Sequence, residues 1–317
     1  MILEPKAREF LKKVRESLPM TPPGGLVAKL SSFVRKDSSP LSDETILQGC
    51  QIRGYVIDKT LGAGAAGVVF LAHHSEHGEV AVKVLVKPDH NDEVSWALFK
   101  REASIGQAIE HPAVLKTLEF CTTDIALFIF MEYAAGTSLG AQLKSGPLPL
   151  DRFLQLFPSF AAGLQAAHEE GVVHRDLKPD NVMVSQDSLK ILDFGMARWS
   201  QDESLTLTNQ FKGTINYCSP EQVTESKSVG PESDQFSFGL ICFEALTGRL
   251  PYPMSSKNPL MNLMERLDQD ALRLREIDAS FPAQAEEVLA RMLEREPQKR
   301  FPSVAQSFAA LEQSFRE

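Results

Sequence analysis

The chain has 317 residues, room for about two domains of roughly 150 residues each, and 43% of them are hydrophobic, the balance of a globular protein with a large core. Its 33 basic against 42 acidic residues leave a net charge of −9, the reverse of a nucleic-acid binder's basic footprint, so no nucleic-acid partner is expected. No charge-free run exceeds 16 residues, and Phe153–His168, of that length, is interrupted by Gln155, Pro158, Ser159 and Gln165, too short and polar for the roughly 20 apolar residues of a transmembrane helix.

Met1–Leu11 is charged throughout, which excludes a secretory signal there. Phe10, Leu11 and Val14 then fall at helical spacing within Pro5–Leu18, predicting a short amphipathic helix. Pro19, Thr21–Gly25 and Ser38–Pro40 interrupt regular structure repeatedly. Eight basic and three acidic residues leave Met1–Lys36 at +5, so the remainder carries −14. The expectation for residues 1–51 is a flexible basic leader; an arm docked on the acidic body or on a partner is the alternative. From Tyr55 the texture is strand-like, with Val68–Leu71 and Val80–Leu85 joined by the polar turn His73–Glu79. A helix is predicted over Ser95–Ile109, then strands over Leu115–Phe120 and Ala126–Tyr133. Beyond Gly136 the pattern is helical, over Asp151–Glu170, Asp234–Thr247, Pro282–Leu293 and Ser303–Ser314. A sheet-rich first part and a helical second part suggest two lobes with a seam near Glu132–Gly136. Cys50, Cys121, Cys218 and Cys242 lie far apart without a Cys-x-x-Cys pair, which fits reduced thiols in a cytoplasmic protein and speaks against a structural zinc site.

The chemistry-bearing motifs begin with Gly62-Ala63-Gly64-Ala65-Ala66-Gly67. Glycines lacking side chains let backbone amides approach phosphates. A dinucleotide-binding turn would open a helix at the third glycine, whereas this one runs into Val68–Leu71 and is therefore a hairpin loop. Taken alone, a ligand-free glycine turn explains it equally well. Lys83 lies in an apolar strand between Val82 and Val84, where an ammonium needs an anionic partner; Glu102 or a bound phosphate could supply it. Taken alone, Lys83 also fits a solvated edge strand. His174–Asn181 is densely polar, and twelve residues beyond Asn181 comes Asp193-Phe194-Gly195. Two acidic residues and an asparagine flanking a hairpin suit a hard cation such as Mg2+, which shares its ligands with phosphates. Together these motifs point to phosphoryl transfer from a nucleotide.

In order and spacing the motifs resemble a eukaryotic-type (Hanks-type) serine/threonine protein kinase, over about Tyr55–Leu311. The resemblance implies an α+β, two-lobed fold: a small antiparallel sheet lobe with one helix (52–132) and a larger, mainly helical lobe (133–317). It implies ATP and Mg2+ as cofactors and proteins as substrates. Leu61, Gly62, Ala63, Gly64, Gly67 and Val69 would cover ATP, with Ala81 beside it. Lys83 would hold the α- and β-phosphates and pair with Glu102. Met131 would be the gatekeeper, with Glu132 and Ala134 in the hinge that meets adenine. Asp176 would orient the substrate hydroxyl and take its proton, Lys178 would stabilise the transferred group, and Asn181 and Asp193 would ligate the metal. Asp234 would anchor the catalytic loop, and Glu221 would pair with Arg300. Lys178 and Thr214 favour serine or threonine over tyrosine. Ala65-Ala66 at the loop tip, Ser219 for the usual alanine and His111-Pro112-Ala113-Val114 depart from the common pattern, and none removes a catalytic group. Ser200, Ser204, Thr206 and Thr208 are expected autophosphorylation positions, with Arg175 as the partner of a phosphorylated hydroxyl. A nucleotide-binding scaffold without transfer and a small-molecule kinase of related fold are the rival readings. Oligomeric state is left open.

Overall fold

The computed structural model describes residues 12–14, 47–64, 67–86, 103–104, 106–123, 126–194, 214–224, 229–252 and 259–316. Among these, the residues of Met1–Trp96 and Thr117–Tyr133 form one compact unit, and those of Ala97–Lys116 and Ala134–Glu317 a second.

The first unit is an antiparallel sheet. Its strands are β1 (Gln51–Ile52), β2 (Tyr55–Gly64), β3 (Gly67–His74), β4 (Gly78–Val86), β5 (Thr117–Thr122) and β6 (Ala126–Glu132), in the spatial order β1-β2-β3-β4-β6-β5. The β-branched runs foreseen in the sequence lie in β3 and β4, where branched side chains pack well on a pleated surface. Val80, Val82 and Val84 alternate onto one face of β4 and join Tyr55, Ile57, Phe70, Phe128 and Phe130 in a buried cluster. Each such side chain contributes about 1.5–3 kcal/mol when fully withdrawn from water. Val14, Leu47, Cys50 and Ile52 belong to the same cluster, and Val14 is 0% exposed. Core packing of this unit thus reaches into the expected leader; residues 1–11 and 15–46 of that leader lie outside the described residues.

The second unit has a small sheet and a helical body. Strand β7 (Thr137–Ser138) leads into α1 (Leu139–Leu143) and α2 (Leu150–Glu169); β8 (Val182–Val184) and β9 (Leu189–Ile191) form a hairpin in the order β7-β8-β9. The further helices are α3 (Pro220–Thr224), α4 (Pro231–Thr247), α5 (Pro259–Asp268), α6 (Leu274–Ile277), α7 (Ala283–Met292) and α8 (Val304–Ser314). Phe153, Leu156, Phe157, Phe160 and Leu164 recur at helical spacing along α2 and are buried. Residues 233–243 of α4 are buried without interruption, the signature of a central helix surrounded by others. It ends at Gly248, whose φ of +75° suits glycine and whose N–H donates to Glu244 O at 2.7 Å. Of the expected Ser95–Ile109 helix, residues 103, 104 and 106–109 are described; 103, 104 and 106–108 are helical, and the helix ends before Ile109. This segment clusters with the second unit because Ile109, Ala113 and Val114 enter its core and Val114 bridges Ile191.

Candidate active site

In the second unit one carboxylate sets the start of the loop His174–Asn181. Asp234, in the first turn of α4 and 1% exposed, accepts from His174 N at 2.7 Å, Arg175 N at 2.8 Å and His168 Nε2 at 2.8 Å. Burial alone would raise the Asp234 carboxyl, but the His168 hydrogen bond, electrostatic interaction with His168 and His174 and the His174 amide hold it below its ordinary value. His174 Nε2 donates to Leu192 O at 2.8 Å, since a carbonyl can only accept, and its Nδ1 accepts from Asp176 N at 3.3 Å. The Phe194 ring meets the His174 ring edge-on at 4.9 Å. Two of the loop's neighbouring acceptors and donors are thereby fixed by a single buried imidazole.

Arg175 (φ +65°) and Asp193 (φ +58°) occupy the left-handed region, which side chains other than glycine's avoid. Strained backbone of this kind persists only where its surroundings impose it. For Arg175 they do: its N–H is held by Asp234, and its carbonyl accepts from Gln222 Nε2 at 2.6 Å. Asp176 follows at once. Its Oδ2 accepts from Lys178 Nζ at 2.8 Å and Asn181 Nδ2 at 3.2 Å, and its carbonyl accepts from Asn181 Nδ2 at 2.9 Å. Asp176 Oδ1 is buried and has no hydrogen-bond partner among the described residues. Val182 pairs with Ile191, and Leu192 N donates to Asn181 O at 2.8 Å, so Asn181 and Asp193 flank the same end of the β8–β9 hairpin. A carboxylate and an amide oxygen there are the hard donors that Mg2+ takes, and the Asn181 Nδ2 bonds to Asp176 leave the amide oxygen available to face a cation.

Downstream, the expected Glu221–Arg300 pair is present and bidentate, at 2.7 and 2.9 Å. The Arg300 side chain is 0% exposed, also donates to the carbonyls of Glu294, Glu232 and Arg295, and lies over the Phe236 ring at 4.9 Å. Two supports of the Thr214–Tyr217 turn escaped the sequence reading. Tyr217 OH donates to Glu244 Oε2 at 2.5 Å, and the buried Arg266 donates through NH1 to Cys218 O at 3.1 Å. Their partners lie 27 and 48 residues away, so no local pattern announces them.

In the first unit, Lys83 is 6% exposed on β4, between Val69 of β3 and Ile129 of β6; it occupies a central strand and not an edge. Ala81 pairs with Met131, and Val80 with Glu132, which brings the expected adenine-side residues into one register. Gly62 pairs with Val69, and Gly64 with Gly67. At Gly67 (φ +135°) a Cβ would lie 2.3 Å from Val84 O, so the neighbouring strand itself requires this glycine. Gly62 faces open space, Ala63 is exposed and Leu61 is 38% exposed. Ala134 falls in the second unit. Glu102, the loop tip Ala65-Ala66, and Ser200, Ser204, Thr206 and Thr208 lie outside the described residues.

Residues 55–311 match the protein kinase domain family. Serine/threonine-protein kinase pkn2 of Myxococcus xanthus is 39% identical over 202 residues, covering 61% of this chain and 24% of that protein. Serine/threonine-protein kinase PknD of Mycobacterium tuberculosis is 32% identical over 268 residues, covering 83% of this chain and 40% of that one. A crystal structure of the Mycobacterium tuberculosis PknI kinase domain superposes with a TM-score of 0.65 at 25% identity, covering 84% of this chain and 98% of that one. A second structure of that domain, at 24% identity and a TM-score of 0.67, agrees in fold. The chain spans less than half the length of these curated relatives. With four-fifths of its length matched, the chain belongs to the protein kinase domain family, in the Hanks-type serine/threonine branch.

Proposed function

We propose that the chain transfers the γ-phosphoryl group of ATP, with Mg2+, to serine and threonine hydroxyls of protein substrates. The observation that carries this reading is the state of Asp176: one carboxylate oxygen engaged by Lys178 and Asn181, the other buried without a partner among the described residues. Buried acceptors are rarely left idle, and a substrate hydroxyl is the donor this one lacks. Asp176 orients that hydroxyl and takes its proton as the new O–P bond forms, while Lys178 steadies charge on the transferred group. Asn181 and Asp193 would hold Mg2+, which when bound neutralises phosphate oxygens. Lys83 binds the α- and β-phosphates and pairs with Glu102. Leu61, Gly62, Ala63, Gly64, Gly67, Val69, Ala81 and Met131 enclose the nucleotide, and Glu132 and Ala134 meet adenine through backbone groups. Residues 52–317 form the kinase domain behind a basic leader, in a cytoplasmic setting. Autophosphorylation falls on Ser200, Ser204, Thr206 or Thr208.

The test is transfer of labelled phosphate from ATP to a generic protein acceptor, followed by phosphoamino-acid analysis. The expected result is phosphoserine and phosphothreonine with wild type and none with Asp176→Asn or Lys83→Ala. Equal signals from all three proteins would leave a nucleotide-binding scaffold in place of an enzyme. Mass spectrometry that finds residues 200–208 unmodified in an active preparation would remove the autophosphorylation part.

A further inference from the structure

The β3–β4 turn gathers side chains that phosphoryl transfer does not use. Three of the seven histidines fall within residues 73–77. His74 closes β3, Gly78 opens β4 with φ +68°, and Ser75, Glu76 and His77 form the turn. The donor atoms of His74, Glu76 and His77 all lie within 4.8 Å of one another. A zinc-type ion with bonds of about 2.0–2.2 Å needs tetrahedral donors about 3.4 Å apart, so the set must close by at most roughly 1.4 Å. Glu76 and His77 are exposed and can rotate to do so, whereas His74 is already seated.

The seat of His74 is specific. Its ring stacks on the fully buried Tyr55 ring at 4.3 Å, and its Nε2 lies where a Cβ on Gly54 would come within 2.9 Å. Gly54, with φ +92°, is therefore the residue that admits this ring. His74 Nδ1 accepts from Glu76 N at 3.2 Å, which assigns the ring proton to Nε2 and points the accepting lone pair toward the turn that carries Glu76 and His77. An ion binding there displaces one exposed amide hydrogen bond, which water replaces. The His77 ring lies beside that of His74, with centroids 4.9 Å apart.

We propose that His74, Glu76 and His77 form a site for one divalent first-row transition ion of the zinc type, with water completing the shell. Two imidazoles and one carboxylate suit zinc, cobalt, nickel or copper, and not calcium or magnesium, which take oxygen ligands. The ion would clamp the β3–β4 turn to the Gly54–Tyr55 segment on which His74 rests. It would act on the stability of the sheet unit and not on phosphate binding, because β3 runs roughly 23 Å from this turn to its glycine-loop end at Gly67.

The test is zinc titration of the full, tag-free chain in excess Mg2+, with thermal unfolding measured in parallel. The expected result is one zinc per chain and a raised unfolding temperature in wild type. Zinc affinity should fall at least tenfold in His77→Ala and in Glu76→Gln, since even an outer-shell partner is worth about 10- to 100-fold. Both side chains are exposed, so the variants should fold with wild-type stability in the absence of zinc. With cobalt, the spectrum should lack the thiolate charge-transfer band that ligation by Cys50 or Cys121 would give. Absence of stoichiometric zinc, equal affinity in wild type and both variants, or a thiolate band would each overturn the proposal. None of these readouts depends on phosphoryl transfer.

Discussion

Replacing Asp234 by asparagine tests the link between the central helix and the loop His174–Asn181. The carboxylate accepts on Oδ1 from Arg175 N (2.8 Å) and on Oδ2 from His174 N (2.7 Å) and His168 Nε2 (2.8 Å). An asparagine has one acceptor oxygen, and whichever way it turns its NH2 group confronts an N–H. The less damaging orientation keeps the two Oδ2 bonds and forfeits the one to Arg175. At about 1.5–3 kcal/mol for a hydrogen bond to a charged group, Asp234→Asn should lower the unfolding free energy by about that amount. It also frees a residue held at φ +65° immediately before Asp176, and a displacement of about 1 Å there is worth on the order of 100-fold in rate. The assays are urea unfolding and kcat with a protein acceptor. The pH dependence has a defined sign. With the folded carboxyl held below its ordinary value, its contribution is complete above about pH 3.9 and is lost as pH falls through the lower folded value. The gap between wild type and variant should therefore be constant from about pH 5 to 8 and narrow only in the acid range. A variant within about 0.5 kcal/mol of wild type, with unchanged kcat, would refute the reasoning.

Three further outcomes follow from packing. Glu221→Ala strands the buried Arg300 guanidinium and should destabilise by about 3–5 kcal/mol in urea, whereas Glu221→Ala combined with Arg300→Leu should cost far less than the sum of the single changes. Gly67→Ala should lower thermal stability by at least about 1–3 kcal/mol, because the Cβ meets Val84 O in a backbone conformation reserved for glycine; Gly62→Ala, facing open space, should stay within about 1 kcal/mol, and equal effects would contradict this distinction. Val14→Asp places a carboxylate in the apolar cluster of the sheet unit and should destabilise by at least about 2 kcal/mol; an unchanged melting curve would remove Val14 from that core.

The legible parts of this chain were those with long periodic patterns or motifs in strict order. The apolar stripe of α2 and the largely apolar run Phe236–Phe243 of α4 locate both helices within a few residues, and Glu221 and Arg300, 79 residues apart, were paired through motif order. Lys83 had an edge-strand alternative that only strand order could remove, because the sequence does not reveal that β6 completes its other side. The two-residue strands β1 and β7 and the four-residue helix α6 are too short to carry a period and form through tertiary contacts. The burial of Val14 and the supports of Tyr217 and Arg266 depend on partners remote in sequence. The steric need for Gly67 comes from a carbonyl on the next strand, so the glycine motif alone attributes to the ligand what the fold also demands.

The central claim is that Asp176 takes the proton of the attacking hydroxyl through its unpartnered oxygen. Single-turnover phosphoryl transfer at saturating ATP and Mg2+ tests it most directly, comparing wild type with Asp176→Asn of matched thermal stability. The chemical step should slow by about 100- to 10,000-fold, the range expected for losing a general base, while nucleotide affinity changes little. A single-turnover rate within a few-fold of wild type would contradict the account.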